Sequence, residues 1–253
     1  MMNQSFLYRL MVACLFLASV PSTVARAEEA ISAQGILENA DQIRFPRESF
    51  QVDVNVTSTA PDQAADIRKY RVLSKGNENS VVMTVEPASD RGQAILMKGR
   101  DLWIFLPDVS QPVRLSLSQR LTGQVANGDL ARANFTGDYN ATILRTDTID
   151  DEKFYVLELT GVDRGVTYHK VLYWIRQTNH WPYRAEFYSL SDRLLKTAYY
   201  EDFKLLLGKH RPTRLVMEDA LRKGEKSVLE YSEMKLQDLP DKIFTKNYLK
   251  KLE

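Results

Sequence analysis

The chain has 253 residues, of which 44% are hydrophobic and 26% are charged, and this balance is typical of a globular protein rather than a disordered one. Its 34 basic and 33 acidic residues leave a formal net charge of +1. A chain so close to neutral has no bulk electrostatic reason to bind nucleic acid or an anionic membrane.

The N-terminal segment has the pattern of a secretory signal peptide. An apolar run over residues 10–20 is followed by Ala-Arg-Ala at residues 25–27, a small-residue cleavage site. The run is too short to span a bilayer as a stable helix, which argues against a retained anchor. We therefore predict that residues 1–27 are a signal peptide cleaved after Ala27, that the protein is periplasmic, and that residues 28–253 form one domain.

Cleavage after Ala27 would remove Arg9, Arg26 and the single cysteine, Cys14. The exported chain would then have 32 of the 34 basic residues against 33 acidic ones, a net charge of −1. It would contain no disulfide, no thiolate nucleophile and no cysteine metal ligand. Lipidation at Cys14 is the alternative, but the apolar run continues past this residue, whereas a lipidation signal ends there.

The first amphipathic segment after the cleavage site is helical in its spacing. Ser32 can cap a helix that ends before Pro46. The apolar positions of this segment recur at helical intervals: Ile36, Leu37, Ala40 and Ile43. From Phe50 the period changes to two, which predicts a strand with one face in water.

The same two-residue alternation returns about a dozen times as far as residue 234, separated by short turns rich in glycine, asparagine and aspartate. Short connections require antiparallel neighbours, so we predict one continuous antiparallel meander. Residues 118–138 break this rhythm and predict a loop with at most one helical turn. Apolar residues at helical spacing in the tail predict a closing helix, with Thr245 as its cap.

Polar neighbours mark the outer face of most strands, so the inner face can be inferred. It consists of Val52, Val54, Val56, Val81, Met83, Val85, Tyr155, Leu157, Leu159, Val171, Tyr173, Ile175, Ala185, Phe187, Leu215 and Met217. Two helices and one loop are a thin cover for this face, which curls because strands twist by roughly 20° each. Such a sheet fills its interior with side chains, keeps a cavity or recruits a partner, and the pattern leaves all three open.

Local motifs for catalysis, phosphate binding and metal binding are missing. The three histidines, His169, His180 and His210, have no partner histidine at two or four residues' distance. Gly-x-Ser-x-Gly, the phosphate-binding loop and the dinucleotide fingerprint do not occur. We expect neither an enzyme nor a cofactor or metal site, and interpret the acidic run at residues 150–152 as a solvated turn rather than a calcium site.

Several segments together resemble the LolA-like outer-membrane lipoprotein-sorting family. They are "GILENADQIRFP" near the N-terminus, "MKGRDLWIFLPDVSQPVRLSLSQR" in the middle, "GDLARANF" in the loop and "LPDKIFTKNYLKKL" at the end. The most specific part is the Lys-Gly-x-Asp-Leu-Trp-Ile-Phe-Leu-Pro segment followed by Arg114 and Arg120. The family usually has a "GSDF"-type loop where this chain has "NGDLARANF" from Asn127.

The resemblance implies a mainly β fold: an incomplete antiparallel β-barrel of about eleven strands, with N-terminal and C-terminal helices and a lid loop over a hydrophobic concave face. It implies a monomeric periplasmic carrier that binds the acyl chains of a lipoprotein or lipid and passes them between membrane components. Its partners would be a transient inner-membrane transporter and an outer-membrane acceptor, with no nucleic acid. The alternative is a periplasmic lipid-sensing or protein-binding regulatory module of the same fold.

Residues 102–106, which run apolar without a break before Pro107, need cover on both faces. We assign Trp103 and Phe105 to the cavity because flat, rigid rings can line an acyl slot. The alternate residues Leu102, Ile104 and Leu106 we assign to packing against residues 121–135. Plain core on both faces is the alternative. The predicted lipid-contacting residues are Val52, Val54, Val56, Met83, Val85, Trp103, Phe105, Leu157, Leu159, Tyr173 and Phe187.

Overall fold

A computed structural model describes residues 31–76, 78–107, 109–132 and 134–249. The predicted signal peptide and Cys14 lie outside these ranges, so the export and cleavage predictions stay predictions. Within the described ranges, the helices are all too short or too polar to cross a membrane.

The described part of the chain forms three α-helices and fifteen strands. The helices are α1 (Ala33–Arg44), α2 (Asn127–Ala131) and α3 (Lys246–Leu249). The strands are β1 (Phe50–Thr59), β2 (Asp66–Lys75), β3 (Asn79–Glu86), β4 (Ala94–Lys98), β5 (Asp101–Phe105), β6 (Val113–Leu115), β7 (Arg120–Thr122), β8 (Val125–Ala126), β9 (Tyr139–Ile149), β10 (Glu152–Gly161), β11 (Lys170–Arg176), β12 (Pro182–Tyr188), β13 (Leu194–Leu206), β14 (Lys209–Asp219) and β15 (Lys226–Leu236).

Thirteen of these strands form one antiparallel sheet in the order β6-β5-β4-β3-β2-β1-β15-β14-β13-β12-β11-β10-β9, and β7 pairs only with β8. The sheet does not close, since β6 and β9 are its two edges. The predicted incomplete antiparallel barrel is therefore confirmed, with thirteen strands rather than about eleven.

The prediction of one continuous meander is wrong. The chain starts in the middle of the sheet at β1, runs outward to β6, crosses to the opposite edge through residues 116–138, and returns from β9 to β15. Strands β1 and β15 then join the two halves, with Val56 opposite Leu229. We call residues 116–138 the cover segment, because this crossing runs over one face of the sheet.

The covered face, called the inner face below, carries the main apolar core. Helix α1 begins where predicted: the Ser32 hydroxyl accepts a hydrogen bond from the Gly35 N–H at 3.0 Å. Ile36 and Leu37 are fully buried, and α1 packs on β9, β12 and β14. Helix α2 packs on β2, β3 and β4 with Leu130 buried, so the two helices cover different halves of the sheet.

The outer face of β3, β4 and β5 is covered by the C-terminal tail. The tail contributes a 3₁₀ turn at Asp241–Ile243 and helix α3, whose Tyr248 N–H donates to the Thr245 hydroxyl at 3.3 Å. Phe244 and Leu249 pack against this face, and the Lys246 ammonium lies 4.0 Å from the centroid of the Trp103 ring. Strand β5 can therefore be apolar without a break, because other parts of the chain cover both faces of this strand.

The β7–β8 hairpin docks the cover segment on the junction between β1 and β15. The Ser58 and Ser227 hydroxyls are 2.8 Å apart, and Ser227 also accepts a hydrogen bond from the Gln124 N–H at 2.9 Å. Gly123 turns above them with φ +47°, and a Cβ there would overlap both hydroxyls. The approach of this hairpin to the sheet therefore requires glycine for both its conformation and its size.

We expect Gly123→Ala to destabilise the protein more than Gly76→Ala. Both glycines have positive φ, but only Gly123 has side chains within contact distance. The strained backbone should cost about 1–2 kcal/mol in either variant. The displaced serine hydrogen bonds should add at least about 1 kcal/mol in Gly123→Ala. Urea unfolding of both variants checks this, and equal losses would contradict the docking of the hairpin on the two serines.

Candidate functional site

The inner face brings together seven of the predicted lipid-contacting residues. They come from four strands and belong to one buried apolar cluster: Val52, Val54, Val56, Leu157, Leu159, Tyr173 and Phe187. Strand alternation places them on this face, and each is at most 2% exposed. Their contact with lipid stays a prediction.

The other four predicted residues lie on the outer face, so their placement with the first seven is wrong. Trp103, Phe105 and Met83 pack in the separate cluster under the C-terminal tail. Val85 lies beside Met83 and Arg71 in an open pocket of about 210 Å³ on the same side.

In strands β3 and β5 the residues predicted to face inward face outward, for a physical reason. Leu102 and Val82 occupy the inner positions there, and Thr84, which the alternation placed outside, stands opposite the core residue Tyr70. Because the tail hides the outer face, Val81 and Val82 are both buried, and alternation no longer distinguishes the two faces. Leu102 and Ile104 belong to the same apolar cluster as Leu121, Leu130 and Phe135 of the cover segment, whereas Leu106, which was predicted to pack there too, is not part of that cluster.

A buried carboxylate on α1 holds the cover segment. Asp41 accepts hydrogen bonds from the N–H groups of Phe135 and Thr136, at 3.0 and 2.8 Å, and from the Thr136 hydroxyl at 2.7 Å. Burial raises the pKa of Asp41 above its usual range, although the charge of Arg44 opposes this. A raised pKa means that the folded state binds the proton more tightly than the unfolded state. The stabilisation by this group is thus full in acid and declines as the pH rises through the raised pKa.

Arg44, one turn further along α1, lies between aromatic rings. Its guanidinium carbon is 4.6 Å from the ring centroid of Phe135 on the cover segment and 5.7 Å from that of Tyr200 on β13. One guanidinium nitrogen is 3.4 Å from the Asp41 carboxylate. Arg44 therefore links the helix, the cover segment and the sheet through one side chain.

A second buried carboxylate, Asp129 on α2, connects the cover segment to β13. It accepts a hydrogen bond from the Tyr168 hydroxyl at 2.7 Å and lies 3.3 Å from the Lys196 ammonium. Lys196 also donates to the carbonyl of Gln124. Burial raises the pKa of Tyr168 well above its usual range, and the Asp129 charge adds to this, so the hydroxyl remains a donor.

A third carboxylate, Asp138, ends the cover segment. It accepts from Arg132 at 2.6 Å and from Arg100, in the β4–β5 turn, at 2.9 Å. Arg132 also donates to the carbonyl of Gly99 at 3.1 Å. Three acidic residues thus fix the cover segment to α1, to β13 and to the β4–β5 turn.

The space between the cover segment and the middle of the sheet is nearly filled. One void of about 20 Å³ lies among Arg44, Phe135 and Tyr168, and another of about 10 Å³ lies among Phe50, Val54 and neighbouring residues. Each volume suits about one water molecule. An acyl chain can reach the middle of the inner face only if the cover segment moves. Over β2–β5, in contrast, a cavity of about 190 Å³ already lies between the cover segment and inner-face residues such as Tyr70, Val82 and Ile95.

A solved structure settles the family. A LolA superfamily protein from Nitrosomonas europaea is 70% identical, with 87% of this chain and 100% of that chain covered and a TM-score of 0.84. The chain belongs to the LolA superfamily. A family model described only as an uncharacterized protein also matches residues 76–251.

Two more distant structures share the LolA-like fold. A putative outer membrane lipoprotein-sorting protein domain from Vibrio parahaemolyticus is 21% identical over 86% of this chain and 98% of that chain, with a TM-score of 0.74. A DUF1329 family protein from Desulfovibrio piger is 21% identical over 86% and 97%, with a TM-score of 0.73. No curated protein matches the chain.

The polar residues that attach the cover segment were not predicted from the sequence. The sequence did contain a signal for two of them: Asp41 and Arg44 lie on the apolar face of α1. Charged residues are unusual on such a face unless they are paired. Among the described residues, no group of three or more histidine, cysteine, aspartate or glutamate side chains could hold a metal ion.

We expect Asp41→Ala to loosen the cover segment without unfolding the sheet. The substitution removes the acceptor of the Phe135 and Thr136 amides and the carboxylate next to the buried Arg44. Hydrogen exchange at these amides should become about tenfold faster, since a lost hydrogen bond costs roughly 1 kcal/mol or more. Glu38→Ala on the same helix is the control. Unchanged exchange at residues 135 and 136 would show that Asp41 does not hold the cover segment.

Proposed function

We propose that the protein is a periplasmic carrier that binds the acyl chains of a lipoprotein or lipid on its inner face and passes them between membrane components. The observation that carries the proposal is a broad apolar sheet face whose cover is fixed by buried charged side chains. The family membership supports it, as does the lipoprotein-sorting description of the structure from Vibrio parahaemolyticus.

Apolar burial gives such a face its affinity for an acyl chain. Each buried methylene group contributes about 0.8 kcal/mol, so eight of them contribute roughly 6 kcal/mol. The same apolar surface is covered by Phe135, Leu130 and Val125 when the cover segment is closed. Acyl chains and cover segment therefore compete for one surface, and binding of one displaces the other.

The polar attachments keep this exchange reversible. When the cover segment lifts, Asp41, Asp129 and Asp138 regain hydration, which offsets the loss of their buried partners. A cover held by apolar contacts alone would expose surface with no such compensation. Release to an outer-membrane acceptor, after loading at an inner-membrane transporter, then needs only a modest change in free energy. We propose that the carrier works as a monomer.

A reversible disulfide between the cover segment and the connection from β10 to β11 tests this function. A Cβ at Gly128 on α2 would lie 3.0 Å from the Cβ of Thr167, close to the 3.5–4.5 Å that a disulfide spans. In a Gly128→Cys/Thr167→Cys variant that also carries Cys14→Ser, we expect oxidation to abolish binding of a fluorescent fatty acid and of a triacylated lipopeptide. Reduction should restore both.

The two single-cysteine variants are the controls, since each carries the substitution without the cross-link. Equal probe binding by the oxidised and reduced double variant would mean that acyl chains do not enter under the cover segment. Lipid extracted from protein purified from the periplasm, analysed by mass spectrometry, should identify the cargo. Cargo that is retained in the presence of acceptor membranes, together with stable binding of a signalling protein, would contradict the carrier and support the regulatory module.

A further inference from the structure

The hairpin formed by β13 and β14 continues past its last hydrogen bonds to the neighbouring strands. Strand β12 pairs with β13 only as far as Tyr199, and β15 pairs with β14 only as far as Arg214. Beyond these positions the two strands pair with each other alone, up to Leu206 opposite Lys209. With about 3.4 Å per residue, the distal part is roughly 15 Å long.

The end of this hairpin is apolar and exposed. Leu205 is 66% exposed and Leu207 is 40% exposed, with the half-buried Leu206 between them. Single exposed leucines are ordinary on protein surfaces, but three in sequence at the end of a hairpin are not. We call residues 205–207 the leucine tip.

Leucine is an unusual residue for the turn at this tip. Leu207 has φ +51° and Gly208 has φ +75°, as in a two-residue hairpin turn that favours asparagine and glycine. A leucine in this left-handed conformation costs stability, and its side chain is not buried in compensation. A strained, exposed apolar residue of this kind is expected where a side chain serves a contact outside the chain.

Basic residues surround the leucine tip. Lys204, Lys209 and His210 are exposed, and no acidic residue occurs between residues 203 and 217. Asp202 precedes the tip in β13, and the charge of Glu48 acts on Arg211. The protein is nearly neutral as a whole, so this positive charge is local to the end of the hairpin.

The base of the hairpin holds the tip in a fixed position. The Phe203 ring stacks on Trp181 with centroids 4.3 Å apart. Arg211 donates to the carbonyls of Gln42 and Ile43 at the end of α1, at 2.7 and 3.1 Å. The tip is therefore presented rigidly, next to the helix that holds the cover segment.

We propose that the leucine tip inserts into the surface of an anionic lipid bilayer, with Lys204 and Lys209 placed at the level of the headgroups. The leucine side chains at the tip suit the acyl boundary of a membrane interface. The lysines around them suit the negatively charged headgroups above that boundary. This docking does not depend on acyl-chain transport, since it requires neither the inner face nor a cargo.

Sedimentation with vesicles of phosphatidylethanolamine and phosphatidylglycerol tests the proposal on the protein from residue 28 to residue 253. We expect Leu205→Ser to weaken binding about tenfold through lost apolar burial. Lys204→Gln/Lys209→Gln should weaken it by about fivefold per lysine. Leu190→Ser and Leu221→Ser are matched controls, because these leucines are similarly exposed in turns at the other end of the sheet and should not change binding.

Leu207→Asn separates docking from folding. Asparagine suits the positive φ of this turn, so the variant should be slightly more stable, with a Tm raised by about 1–2 °C, yet bind vesicles about tenfold more weakly. Binding by the unaltered protein should fall in high salt and on vesicles of phosphatidylcholine alone. No binding to anionic vesicles, or equal losses in the tip and control variants, would overturn the proposal. In the first case the tip would be a site for a protein partner instead.

Discussion

The structure depends on one constraint: the inner face of an open thirteen-stranded sheet must be kept from water. Because β1 starts in the middle of the sheet, the chain has to travel from the edge at β6 to the edge at β9. The connection between these edges lies across the inner face. The connection that the topology requires is thus also the cover that the apolar face requires, and no separate lid domain is needed.

The contacts of this connection divide into two kinds with different functions. Apolar side chains such as Leu130 and Phe135 fill the space over the sheet and set how strongly the face is hidden. The carboxylates Asp41, Asp129 and Asp138 fix where the connection lies, because each needs donors at particular positions. Hydrophobic burial is not directional, whereas buried charge pairs are, so the second kind gives the cover a defined closed position.

Much of the fold could be predicted from the sequence, because most strands alternate between a polar and an apolar neighbour. Val52, Val54 and Val56 were placed correctly since only one face of β1 is apolar for most of its length. The prediction failed in β3 and β5, where the tail covers the second face. Both parities of β5 are apolar, and in β3 the inner face carries Ser80 and Thr84 while the outer face carries Val81 and Met83. The order of the strands was also missed, since short turns establish only which neighbours are adjacent, and the β1–β15 pairing joins residues far apart in sequence.

The family resemblance gave the architecture and the general function, but the attachments around Asp41 and Asp129 depend on tertiary contacts that no local pattern encodes.

The pairing of β1 with β15 also determines when the protein can fold. Val56 finds its partner Leu229 only after almost the whole chain is available. Until then the N-terminal half is a six-stranded sheet in which β1 is hydrogen-bonded on one side only, to β2. Such a fragment is prone to self-association during synthesis or transport, and its contacts of long sequence separation make its completion slow. The chain therefore needs protection from self-association until its last strand arrives.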